Sequence, residues 1–233
     1  MVILTQPSVL GLRIIKLLEG LPEERLQSLA AQCKWRRYKP EQLIVSRDGS
    51  DRDVHLIVSG TVRITIYSAS GRQVTFNDER AGAVFGELAA IDGKPRTADA
   101  VALESLLIAS MPPTVFKQLL LDEPVVLHRV LLQLTTLVRR LSDRVIDLST
   151  LGVQNRLHAE VLRLAREAGV VNNHARIDPA PKHTDIASRI STYREQVTRE
   201  LSALAKLGIL AKDDRALVVR DVGRLEQLVK DVH

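Results

Sequence analysis

The chain has 233 residues, 45% hydrophobic and 26% charged, with a net charge of +5. That is apolar material for one large core or two smaller ones, which excludes a mainly disordered protein, and the modest positive charge permits a polyanionic partner without demanding one. The apolar N-terminal stretch carries Arg13 and Lys16 inside it, and no uninterrupted apolar run reaches membrane-spanning length, so a cytoplasmic, unprocessed protein with no membrane partner is expected.

Short helices are expected around Ile14 to Ala31. Beyond them, glycines at 49, 60, 71, 82 and 93 recur every 11 residues in Asp-Gly, Ser-Gly and Ala-Gly dipeptides, with β-rich runs such as VHLIV and TVRITIY between them. Regular turns of this spacing predict an antiparallel, jelly-roll-like β-roll. After Pro124 the pattern changes: Leu127, Leu131, Leu134, Val138, Leu141, Val145 and Leu148 follow at intervals of 4, 3, 4, 3, 4 and 3, flanked by Arg139, Arg140, Asp143 and Arg144. Strict alternation of three and four predicts a heptad seam and a parallel homodimer, rather than a helix packed only on its own sheet.

From Thr150 the chain reads as helical again. A helix from Arg156 to Ala168 stops at Gly169, and a loop with Asn172, Asn173, Pro179 and Pro181 follows. Two short helices lie in HTDIASRISTYREQVTRELSALAKLGIL, and Ile209 to Val219 reads as a hairpin around Asp213 and Asp214. Helix, turn, helix, hairpin is the order of a winged helix-turn-helix. The expected fold is α+β, with a β-roll domain over 1–123, a dimerisation helix over 124–149 and a winged helix-turn-helix over 150–233.

The stretch FGELAAIDGKPRTA, Phe85 to Ala98, puts a carboxylate and a guanidinium on one small loop. An arginine such as Arg96 gives a phosphate a short charge-assisted hydrogen bond, and free amides from Gly86 through Glu87 and Leu88 to Ala89, with that of Ala98, add donors. Glu87 suits a sugar hydroxyl, and Gly86 lets backbone approach the ligand closely. The bland alternative is a solvated Glu87–Arg96 pair across a β-turn, worth about 0–1 kcal/mol. This stretch closely resembles, in length and in residues, the phosphate-binding cassette of cyclic-nucleotide-binding domains. The resemblance implies a cyclic nucleotide as allosteric effector: cyclic AMP, with cyclic GMP as the alternative because the hydroxyl of Thr97 can reach either the phosphate or a guanine amino group. It also implies that Ser142 touches the base from the long helix. Leu141 occupies the other position where such relatives carry a hydroxyl, which puts the standard adenine contact in doubt.

A second signature lies in ISTYREQVTRELSALAKLGIL. On a helix, Tyr193, Val197, Leu201 and Leu204 share one face, expected to be buried, while Arg194, Glu195 and Arg199 point outward. Arginine can bond guanine O6 and N7, and glutamate can accept from cytosine N4. Thr192 to Glu195 can equally be a capping box, with both arginines as plain solvated charges. The pattern Arg-Glu-x-Val-x-Arg resembles the recognition helix of the cyclic-AMP receptor protein/fumarate–nitrate regulator superfamily of bacterial transcription factors. The resemblance covers nearly the whole chain, and it implies that Arg194, Glu195 and Arg199, with Gln196 and Thr184, face DNA at a TGTGA-like half-site. Double-stranded DNA, a second copy of the chain and RNA polymerase are the implied partners. Two departures stand out: Tyr193 where the family often has a small residue, and Gly152 at a hinge position that is commonly aspartate.

Other classes fit less well. A cyclic-nucleotide-binding regulatory subunit acting on a protein partner would not need the outward Arg194, Glu195 and Arg199. No nucleophile–base constellation or metal-ligand spacing is visible, so neither an enzyme nor a metal site is expected. Cys33, the single cysteine, excludes an internal disulfide and the ligand set of an iron–sulfur cluster, and reads as a small, partly buried hydrophobe.

Overall fold

The structure is a computed structural model, and it describes residues 3–4, 6–68 and 73–230. The chain divides into two compact units, residues 1–137 and 138–233.

The first unit opens with β1 (Ile3–Leu4), α1 (Val9–Arg13), a 3-10 turn at Lys16–Leu18 and α2 (Glu23–Gln32). Ser8 starts α1, its hydroxyl accepting the amide of Gly11 at 3.1 Å. Then come β2 (Lys34–Tyr38), β3 (Leu43–Val45), β4 (Val54–Ser59), β5 (Thr61–Tyr67), β6 (Gln73–Arg80) and β7 (Val84–Phe85). A short helix, α3 (Glu87–Asp92), interrupts the strands before β8 (Asp99–Ala102) and β9 (Leu106–Met111). Two antiparallel sheets result, ordered β1-β2-β9-β4-β7 and β3-β8-β5-β6. The alternation of β5 explains its place, since Val62 and Ile64 join the core between the sheets with Phe85, Ala100 and Ala102.

The periodic glycines serve different turns. Gly60, between β4 and β5, has φ +85°, and a Cβ there would lie 2.6 Å from the Cβ of Leu106, so no other residue fits. Gly82 lies between β6 and β7, whereas Gly93 ends α3 rather than joining two strands. Gly71 lies outside the described residues.

Next come α4 (Pro113–Asp122) and α5 (Pro124–Thr150), a continuous helix of 27 residues whose chain crosses from the first unit into the second at 137/138. Val126 and Val130 are buried in the core of the roll and Leu134 packs against it. The remaining seam positions stay open in the single chain: Leu127, Leu131, Val138, Leu141, Val145 and Leu148 are 39% to 63% exposed.

The second unit continues with α6 (Val153–Ala168), β10 (Val170–Val171), β11 (His174–Ile177), α7 (His183–Arg189), α8 (Arg194–Lys206), β12 (Leu210–Asp213), β13 (Ala216–Val219) and α9 (Val222–Lys230). Its sheet runs β10-β11-β13-β12 and, with Leu157, Val161, Ile186, Val197, Leu204 and Leu225, forms a separate core. Two expectations are corrected here. The segment read as a loop holds a hairpin, β10–β11, turned by Asn172 (φ 49°) and Asn173 (φ 64°); asparagine tolerates this left-handed backbone, and a two-residue strand is too short to show alternation. Tyr193, expected on the buried face of α8, is 66% exposed. It precedes the first helical residue with extended backbone (φ −104°, ψ 152°), so helical periodicity does not reach it.

Candidate functional site

Strand and loop geometry gathers four residues around Arg96. The loop before β4 supplies Asp51 and Asp53, β4 itself supplies His55, and the turn after β7 supplies Gly86. Arg96 is 5% exposed. Its Nη1 donates to the carbonyl of Gly86 at 2.9 Å, and its Nη2 to the carboxylate of Asp51 at 2.9 Å and the carbonyl of Asp53 at 2.7 Å. Gly86 has φ +87°, and a Cβ on it would lie 2.4 Å from Nη1 of Arg96, so only glycine lets turn and guanidinium come this close. The Nε–H of Arg96 is buried and has no hydrogen-bond partner among the described residues. A buried unmatched donor costs about 1–3 kcal/mol, and a phosphate oxygen is an acceptor of the right charge to satisfy it.

His55 lies beneath the guanidinium. Its ring stacks on Phe85 with centroids 4.8 Å apart, Nδ1 is 2.9 Å from the hydroxyl of Ser110, and Nε2 is 3.4 Å from the carboxylate of Asp51. The two protons on Nη2 of Arg96 go to Asp51 and Asp53, so its 3.3 Å approach to Nε2 of His55 is a contact rather than a third bond. The consistent tautomer donates from Nε2 to Asp51 and accepts the Ser110 hydroxyl at Nδ1. Burial pushes the His55 pKa down from its ordinary value and outweighs the pull of Asp51, which keeps the ring neutral. For Asp51, burial pushes the carboxyl up, but hydrogen bonds from His55, the Asp53 amide and Arg96 win and hold it well below the usual carboxylate range.

Glu87 opens α3 and is 8% exposed. Burial raises its carboxyl, its own backbone N–H opposes that, and Glu79 nearby pushes it up again, for a net rise. Among the described residues no ion pair joins Glu87 to Arg96, whose carboxylate partner is Asp51. The reading as a solvated pair across a β-turn therefore fails. Leu88 and Ala98 are half-buried, Ala89 is buried and Thr97 is exposed. Ser142 lies in the second unit, its hydroxyl donating to the carbonyl of Val138 at 3.0 Å.

In the second unit α7 and α8 meet through a turn in which Ser191 adopts φ 55°. Arg194, Glu195 and Arg199 are exposed on α8, as is Thr184 on α7. Gln196 is half-buried and accepts from Nη2 of Arg199 at 2.6 Å. The residue capping α8 is Tyr193, with no side-chain capping bond, so the alternative capping box from Thr192 to Glu195 is not formed.

Comparison with known proteins agrees with this geometry. A family model described as cyclic nucleotide-binding domain matches residues 35–123, and one described as Crp-like helix-turn-helix domain matches residues 155–228. The chain belongs to the cyclic-AMP receptor protein/fumarate–nitrate regulator superfamily. The cyclic AMP receptor protein of Thermus thermophilus is 26% identical over 217 residues, which is 91% of this chain and 95% of that one. A CRP-like cAMP-activated global transcriptional regulator of Mycobacterium tuberculosis is also 26% identical, over 80% of this chain and 84% of its own. Among solved structures, a CooA mutant from Carboxydothermus hydrogenoformans superposes with a TM-score of 0.77 at 19% identity over 97% of this chain and 98% of that one. The global regulator CLP of Xanthomonas campestris gives a TM-score of 0.75 at 18% identity over 85% and 99%. At such identities the structures support the fold.

Within this superfamily fold, the sequence left several residues unseen. Asp51 and His55 lie more than 40 residues before Arg96 in sequence, and no local pattern ties them to it. In the second unit Nη2 of Arg144, on α5, donates to the carbonyl of Arg189 at 3.1 Å, and Arg156, on α6, donates from Nε to that of Ile190 at 3.0 Å and from Nη1 to that of Leu151 at 2.7 Å. Two arginines thus hold the carbonyl end of α7, where the turn to α8 begins. Among the described residues no group of three or more His, Cys, Asp or Glu is placed to hold a metal ion, and no helix is long and apolar enough to cross a membrane.

Proposed function

We propose that the protein is a homodimeric transcription regulator whose DNA binding depends on cyclic AMP held in the β-roll. The observation that carries this is the buried Nε–H of Arg96, left without a partner beside the Gly86–Glu87 turn. The phosphate falls to Arg96, the ribose 2′-hydroxyl to Glu87, and the close approach to Gly86, with Leu88, Ala89, Thr97 and Ala98 completing the loop and Ser142 meeting the base. Relatives described as cAMP-activated support the choice of nucleotide. The exposed hydroxyl of Thr97, next to Arg96, favours cyclic GMP as the second reading.

The α5 seam, with its open Leu127, Leu131, Val138, Leu141, Val145 and Leu148 and its half-buried Leu134, is the dimer contact. A two-fold dimer calls for an inverted-repeat, TGTGA-like operator with half-sites about one helical turn apart, read by Arg194, Glu195 and Arg199 with Gln196 and Thr184 close by. RNA polymerase is the partner at the promoter. For the nucleotide to switch on DNA binding it must favour the DNA-competent state, and a coupling of about 1–3 kcal/mol is typical. Titrating such an operator with and without cyclic AMP tests this: a tighter complex with nucleotide is expected, and equal affinities refute the coupling.

A further inference from the structure

On the inward face of the roll, two polar side chains stand where apolar ones are the rule. In the pairing of β5 with β6, Val62 faces Glu79 and Ile64 faces Asn77, and in the pairing of β5 with β8, Val62 faces Ala102 and Ile64 faces Ala100. Residues paired across antiparallel strands project from the same face of the sheet. Val62, Ile64, Ala100 and Ala102 belong to the core that includes Phe85, the residue before Gly86. Asn77 and Glu79 therefore project toward the cassette from β6, while β8 continues directly from Arg96, Thr97 and Ala98. The amide of Asn77 donates to a carboxylate oxygen of Glu79 at 2.6 Å.

Glu79 is half-buried, and among the described residues it has no cationic partner. Its charge is instead close enough to Glu87 to oppose ionisation there. A half-buried carboxylate facing a second carboxylate is a cost in the unliganded roll unless some donor meets it. Arg96 is already committed to Asp51, Asp53 and Gly86. The Asn77 amide meets one carboxylate oxygen of Glu79, and the other has no donor among the described residues.

We infer that Glu79, held in place by Asn77, reads the exocyclic amino group of the purine in the β-roll. The inference rests on the proposal that the roll holds a cyclic nucleotide. It adds the determinant of base recognition. An amino group on the base donates to the Glu79 carboxylate, and a charge-assisted bond of this kind discriminates strongly against a base that cannot form it. The 6-amino group of adenine and the 2-amino group of guanine share this chemistry, so the test separates them.

Calorimetric titration of the full chain compares cyclic AMP with purine riboside 3′,5′-cyclic monophosphate, which lacks the amino group, and cyclic GMP with its inosine counterpart. In the wild type at least one amino-bearing ligand binds about tenfold or more tightly than its partner, the scale of one charge-assisted bond. In Glu79→Ala that preference falls to near unity, and Glu79→Gln, which keeps a carbonyl acceptor, retains part of it. Because both ligands of a pair carry the same phosphate and ribose, removal of charge repulsion cancels from the ratio. An unchanged preference in Glu79→Ala, or no preference in the wild type, overturns the inference while leaving the nucleotide reading intact. Failure of the wild type to bind any of the four ligands overturns both. Should Glu79→Ala fail to fold, the near-isosteric Glu79→Gln carries the comparison, and an undiminished preference there overturns the inference.

Discussion

Gly86→Ala tests whether Arg96 is the anionic anchor. The new methyl carbon would stand 2.4 Å from Nη1 of Arg96, about 1 Å short of ordinary contact, on a backbone with φ +87°. The left-handed conformation costs an alanine about 1–2 kcal/mol, and this penalty acts on the protein with or without ligand. The guanidinium cannot simply slide away, because Asp51, Asp53 and the Gly86 carbonyl fix it at 2.7–2.9 Å. Moving it breaks at least one charged hydrogen bond, worth about 1.5–3 kcal/mol, and turns Nε from where a phosphate would meet it. The expected result is a lower denaturation midpoint for the unliganded protein and a loss of cyclic-nucleotide affinity of at least about tenfold, as each 1.4 kcal/mol is a factor of ten. Thermal melts give the first and calorimetric titration the second. A variant that is destabilised yet binds nucleotide with unchanged affinity refutes the assignment of Arg96.

Val138→Asp places a charge on the seam at a position 62% exposed in the single chain, so the protomer should fold normally. In a dimer the carboxylate is buried without a partner at about 3–5 kcal/mol, and light scattering after size exclusion should report a monomer. Glu195→Ala should lower discrimination at one operator base pair by about 1–3 kcal/mol in binding assays on operator variants. Its melting temperature should hold, since Glu195 is exposed and the cap of α8 lies elsewhere. The Asp51 cluster predicts an acid transition. Because the folded carboxyl is held below its ordinary value, its contribution to stability is complete above about pH 4 and disappears as pH falls further. His55, with its pKa lowered by burial, adds a loss that begins as pH drops below its ordinary value of 6.5. Urea titrations across pH should show both steps, and Asp51→Asn should remove the lower one.

Sequence periodicity carried the large elements well. Turn glycines marked the roll, and the three–four alternation from Leu127 to Leu148 falls on one continuous helix. Periodicity says nothing beyond the ends of the elements that carry it. Tyr193 lies four residues before Val197, a spacing that predicts a buried face, yet helical geometry begins only at Arg194. The strand Val170–Val171 is two residues long, too short to alternate. The cassette was legible because its chemistry is compressed between Phe85 and Ala98. Its electrostatic setting was not, since Asp51 and His55 reach Arg96 only through the pairing of β4 with β7, and Glu79 faces the cassette only through the register of β6 on β5. Such contacts follow from sheet topology rather than from local sequence.

Within the second unit α5 is tied to the turn before α8 through Arg144, whose Nη2 bonds the carbonyl of Arg189 at 3.1 Å, and Arg156 grips the neighbouring carbonyl of Ile190 from α6 at 3.0 Å. Within the first unit the same helix is anchored to the roll: Val126 and Val130 are buried there, Gln133 donates to the carbonyl of Val84 at 3.2 Å, and Arg129 donates to the carbonyls of Leu17 at 3.2 Å and Glu19 at 2.5 Å. Val84 lies two residues before Gly86, on the strand that leads into the cassette. Gln133 therefore ties α5 to the strand that leads into the cassette. Arg144 and Arg156 thus hold the turn before α8 to both α5 and α6.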